Sequence, residues 1–170
     1  LQEIKWEVQT MLRIITLSIT VVVVLATSLQ QMRMIVPIEV LEKKNVTELK
    51  LQSMGEQSKN LAKAIDLAAK QSGLSSEFLI ALAFTESTFR KNAISCKGYK
   101  GLMQIPHAAF YPDANMLIGA HIFNEKMVIA KGNLTKAICL YKGYAYEDPR
   151  GRMQAEKVLS LYRKLRSMEV

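Results

Sequence analysis

The sequence predicts an all-α domain. Three observations carry that prediction. Apolar residues recur at three- and four-residue spacings in several segments, alternation of apolar and polar residues never runs beyond a few positions, and Gly73, Gly132 and Gly143 close segments at lengths that suit short helices. The composition agrees: 49% apolar and 22% charged residues sustain a packed core, which excludes a disordered or fibrous chain. A length of 170 residues leaves room for one domain and a tail, not for two full domains.

Taken in order, residues 1–29 read as a targeting segment. From Ile14 to Leu29 there is no charge, and Val21 to Val24 are four consecutive valines. Reading from Met11 as the true start, Met11-Leu12-Arg13 is a basic head, an apolar stretch runs to Leu25, and Ala26-Thr27-Ser28 is a small-residue end. That is the build of a secretory signal peptide. The run falls short of the about 20 apolar residues a spanning helix needs, so a cleaved signal and an uncleaved membrane anchor both stay open. Residues 30–55 read as a linker with some helical tendency over 46–54.

The folded domain is assigned to residues 56–168. From Ser58, Leu61, Ala64, Ile65, Ala68 and Ala69 form one apolar stripe, and Gly73 stops the helix. Ser75 or Ser76 caps a second helix to Glu86 that is apolar on every side, the mark of a buried helix. Residues 92–113 are loop-like, with a short turn over Gly101–Ile105. Asp113 or Asn115 then caps a helix reaching Lys131, broken by Gly132-Asn133. A short helix runs from Thr135 to Lys142 before Gly143, and Pro149 precedes a last helix with Ala155, Val158, Leu159, Tyr162 and Leu165 on one face.

Lys and Arg number 23 against 15 Asp and Glu, a net charge of +8. A basic surface favours polyanions, whether nucleic acid, anionic lipid or an acidic wall polymer, and does not choose among them. No CxxC or His/Cys spacing suggests a metal, and no cofactor is expected.

Glu86 is out of place for a purely structural helix. It ends the most apolar segment of the chain, between Phe84 and Phe89. A carboxyl group partly withdrawn from water is disfavoured in its charged form, which suits a general acid. Arg90, Lys91, Lys97 and Lys100 pull the other way, and a helix-end Glu paired with Arg90 at i+4 is the bland alternative. Glycosidases usually flank the bond with two carboxylates. Here Ser87 to Pro112 holds no Asp or Glu, so a catalytic Glu86 would act alone.

Four blocks carry a resemblance. They are Glu86-Ser87 with Phe89, Ala93 and Ser95 just after it; Gly101-Leu102-Met103-Gln104-Ile105-Pro106; and, downstream, Asn115 to Ala120 and then Ala137 to Tyr141. In this order they resemble the soluble lytic transglycosylase family, with its goose-type lysozyme-like helical fold and substrate groove, over roughly residues 60–146. The resemblance implies an enzyme that cuts the β-1,4 bond between N-acetylmuramic acid (MurNAc) and N-acetylglucosamine (GlcNAc) in peptidoglycan. One Glu protonates the leaving oxygen and then deprotonates the muramic C6 hydroxyl, which closes a 1,6-anhydro ring.

By the same resemblance Glu86 is the acid/base, and Ser87 supports the helix end or the substrate. Ser95 and Gln104 line the groove, Met103 packs beneath the glycan, Gly101 lets the turn approach the sugar, and Tyr141 hydrogen-bonds near Glu86. Lys142 stands where the family has Asn and is a candidate modulator. The segment from Pro106 to Asn115 is shorter than in the family, and the turn from Cys96 to Gly101 is more basic and bulkier. Cys96 and Cys139 would lie near the groove, where an oxidising envelope could join them in a disulfide. The implied setting is the periplasm, the cell envelope or the exterior. The implied partners are glycan strands and a secretion, conjugation or phage assembly, with no nucleic acid. A lysozyme-type hydrolase on the same fold and a non-catalytic wall-binding protein are the alternatives.

Overall fold

The computed structural model describes residues 45–106 and 110–168. The targeting segment and most of the linker lie outside these residues. Six helices are formed among them: α1 (Val46–Ser53), α2 (Lys59–Ser72), α3 (Ser76–Ser87), α4 (Pro112–Ile129), α5 (Leu134–Tyr141) and α6 (Pro149–Arg166). No strand is formed among the described residues. Isolated bridges alone pair Lys100 with Ile94 and with Ile105.

Helix α3 is the axis of the core. Phe78 to Ala83 are all buried, so the helix is surrounded, as an all-apolar sequence requires. Ser75 caps its start by accepting from the Phe78 N–H. Its end is unusual. Thr88 and Phe89 both adopt the left-handed region, at φ 51° and 61°, where a glycine would be expected. Helix α2 lays its apolar stripe along α4, while α6 packs on both α3 and α5. A chain of rings crosses the core from Tyr162 of α6 through Phe78 of α3 and Phe123 of α4 to Tyr141 of α5, with centroids 5.6, 4.7 and 5.8 Å apart.

Two sequence expectations change. Helix α1, within the stretch read as linker, is part of the packed unit. Leu51 is buried, Lys50 reaches Glu77 of α3 at 2.6 Å, and Thr47 and Asn45 donate to Asp66 of α2. Helix α4 is capped by neither Asp113 nor Asn115. Tyr111 occupies the cap position without a side-chain bond, and Pro112 opens the helix, a position where its missing N–H costs nothing. Asn115 has a different task, described below. No described helix is long and apolar enough to cross a membrane.

Candidate functional site

Glu86 lies in the last turn of α3, in a cavity of about 240 Å³. Lys97 and Tyr99 from the turn, Gln104 to Pro106, Ile122 and Lys126 of α4, and Leu140 to Gly143 complete the lining. Glu86 is the one carboxylate among these residues, and it faces three lysines.

Its partner is not Arg90. The Arg90 Nε donates to the Ser87 carbonyl at 3.1 Å, helping to close the helix end. Glu86 instead receives Lys142, whose Nζ donates to Oε1 at 2.7 Å and to Thr85 Oγ1 at 3.1 Å. Both side chains are largely withdrawn from solvent, with 7% exposure for Lys142 and 14% for Glu86. Among the described residues, Oε2 of Glu86 accepts no hydrogen bond. Thr85 also lines a second, broader hollow against α6, so Lys142 stands between two depressions of the surface.

The turn before α4 forms the opposite wall. Backbone bonds from Gly101 N to Ala93 O, Ser95 N to Tyr99 O, and both ways between Lys100 and Ile105 fold residues 93–105 back on themselves. Gln104 sits at φ 49° and its Nε2 donates to the carbonyls of Gly101 and Ala93. Asn115 fastens this turn to α4. Its Oδ1 accepts from the Met103 N–H at 2.8 Å, and its Nδ2 donates to the Lys100 carbonyl at 3.0 Å. Gly101 permits the approach: a Cβ there would fall 2.2 Å from Asn115 Nδ2, and its φ of 81° suits glycine. Gly119, one turn further on α4, gives room to the Met103 side chain.

Tyr141 donates its hydroxyl to the Met103 carbonyl at 2.8 Å. Burial, with the charge of Glu86 adding to it, pushes this phenol well above the ordinary tyrosine range. It is therefore a fixed neutral donor that ties α5 to the turn.

Of the residues expected in the site, Glu86, Gln104, Tyr141 and Lys142 line the cavity together. Ser87, Ser95, Gly101 and Met103 do not. Ser87 is buried and bonds the Ala83 carbonyl one turn back, while Ser95 Oγ accepts from the Tyr99 N–H inside the turn. Met103 is fully buried behind the wall. Cys96 is exposed and Cys139 is buried in α5, both as free thiols. The possible disulfide between them is not formed: one thiol is at the surface of the turn and the other is in the core. Sequence reasoning missed Thr85, Tyr99, Lys126 and the clamp role of Asn115. A polar Asn within an apolar segment was the available signal, since a buried amide needs partners.

Residues 63–116 match the family described as Transglycosylase SLT domain. Among solved structures, the chain is similar to an inactive Glu-to-Gln mutant of lytic transglycosylase Slt from Pseudomonas aeruginosa. The TM-score is 0.53 at 22% identity, over 63% of this chain and 24% of that one. The chain has the lytic transglycosylase fold. It spans about a quarter of the length of Slt. No curated protein sequence matches it. The family match includes Glu86, the turn and Asn115, whereas Tyr141 and Lys142 lie beyond it.

Proposed function

We propose that the protein is a peptidoglycan lytic transglycosylase that cuts the MurNAc-β-1,4-GlcNAc bond with Glu86 as its single acid/base. The observation that carries this reading is the cavity with one carboxylate, at the end of a buried helix, inside the matched family segment. A hydrolase needs a second group to hold water. A reaction whose nucleophile belongs to the sugar does not.

The steps follow from that economy. Protonated Glu86 gives its proton to the glycosidic oxygen as the C1–O bond breaks. The muramic C6 hydroxyl attacks C1, and Glu86, now a carboxylate, takes the hydroxyl proton. The products are a free 4-hydroxyl and a 1,6-anhydro end, and no water is consumed. Gln104 and Tyr141 keep the wall of the cavity in place rather than exchanging protons. The substrate places the reaction outside the cytoplasm, at the cell envelope.

The test is to incubate the full chain and its Glu86→Gln variant with purified peptidoglycan and read the products by mass spectrometry. Anhydro-muropeptides from the wild type alone are expected. Reducing-end muropeptides would make the protein a lysozyme. The Lys142–Glu86 ion pair favours a second reading, a wall-binding protein without turnover, because the candidate acid is already engaged by Lys142. Sedimentation with the wall and no products from either protein would select it.

A further inference from the structure

The ion pair poses a chemical problem for the reading just given, and its solution narrows the substrate. A general acid must begin with a proton, yet in the free protein Oε1 of Glu86 is held by the Lys142 ammonium. While Lys142 holds Oε1, an anion entering the cavity competes with Glu86 for the same ammonium. Withdrawn from solvent as it is, this ammonium is best satisfied on leaving Glu86 by another anion within the cavity. Lys97 and Lys126 line the same cavity and add positive charge with no further carboxylate to offset it.

We propose that Lys142 is a specificity-determining and positioning residue that recognises a carboxylate on the sugar being cut, and that this carboxylate draws Lys142 away from Glu86. The inference rests on the transglycosylase reading and sharpens it. The cavity of about 240 Å³ is smaller than usual small-molecule pockets and suits one sugar with its substituent. On a muramoyl residue the substituent at hand is the lactyl group. It is a carboxylate when no peptide is attached and a neutral amide when one is. The carboxylates of a stem peptide are displaced by roughly 3.3 Å for each intervening residue, which carries them out of so small a cavity. The favoured substrate is therefore peptide-free glycan.

The test uses the full chain with two GlcNAc–MurNAc tetrasaccharides, one with free lactyl acids and one with the lactyl groups as methylamides. Binding is read by calorimetry and cleavage by mass spectrometry, for wild type, Lys142→Met, Lys142→Arg and Lys126→Met. The wild type is expected to bind the free acid about ten-fold more tightly, as a loss of one charge-assisted contact implies, and to cleave it in preference. Lys142→Met is expected to lose the preference through a higher KM for the acid while cleaving the amide faster. Lys142→Arg is expected to keep the binding preference. Lys126→Met, outside the ion pair, is expected to reduce the preference in part and checks the result should Lys142→Met unfold. A binding preference without any cleavage, abolished in Lys142→Met, would uphold the recognition and remove the transglycosylase reading. Equal or absent binding of the two sugars by wild type, or a preference intact in Lys142→Met, would overturn the proposal.

Discussion

The Nζ of Lys142 lies 2.7 Å from Oε1 of Glu86 and joins the start of the loop after α5 to the end of α3 across 56 positions of sequence. It fixes the direction of the candidate acid and, with the Thr85 hydroxyl at 3.1 Å, leaves the ammonium two protein acceptors.

Glu86→Gln is expected to fold and to lose cleavage by a factor of 100 or more, on the order of what a positioned acid/base contributes. The amide still accepts from Lys142 but cannot exchange a proton. Product analysis and a thermal melt measured on the same preparation separate the two effects.

Lys142→Ala leaves Glu86 unpaired in a site only 14% exposed. A loss of stability of about 3 kcal/mol is expected, since breaking a buried pair from one side strands the other charge. Urea titration measures it, and an unchanged midpoint would show that the pair is not maintained in solution.

A second pair gives a pH signature. Burial works against the charge of Glu77, but hydrogen bonds from Lys50, its own N–H and Ser75, together with the Lys50 charge, outweigh it and hold this carboxyl below its ordinary value of 4.5. The folded form therefore binds a proton less readily than the unfolded one. The stabilisation is complete above about pH 4.5 and is lost as pH falls through the lowered value. Thermal melts from pH 6 down to 3 are expected to fall less steeply for Glu77→Gln than for wild type.

The helices were legible because each carries its own local signals. Ser58, Ser75 and Gly73 stand where the caps are, and the stripe of α2 is a plain 3.6-residue pattern. The docking of α1 was not legible, since it rests on Lys50, Thr47 and Asn45 meeting Glu77 and Asp66 through the fold. Glu86 was legible as an acid in an apolar helix. Its partner was not, because Arg90 at i+4 is the local choice and Lys142 is brought in only by the packing of α5. Ser95, Gly101 and Met103 were placed in the groove by their motif, yet the same motif is explained by building the turn.

The two thiols are expected to differ. Cys96 is exposed and should react with a thiol reagent in the folded protein. Cys139 is buried, and burial raises its pKa further from the reactive thiolate, so it should react only on unfolding. Titration with and without denaturant is expected to count one thiol and then two.

Gly101→Ala is expected to destabilise by about 2 kcal/mol or more, because the site demands a left-handed backbone that a Cβ disfavours and the new Cβ collides with Asn115. Gly98→Ala, with a similar φ but open space around it, should cost less. Denaturant midpoints of the two variants give the comparison, and equal losses would mean that Asn115 yields.

The clamp formed by Asn115 also decides which parts of the cavity can give. With Lys100 and Met103 bonded to one amide, and Tyr141 bonded to Met103 as well, the floor moves only as a block with α4 and α5. Adjustment to a guest is left to the long arms of Lys97 and Lys126, and to Lys142 once it leaves Glu86. Each arm that is stilled gives up as much as about 2 kcal/mol of rotamer freedom. The site is thus a rigid basin with pliant cationic fingers. Residence time, more than capture rate, is where variants of these lysines are expected to leave their trace.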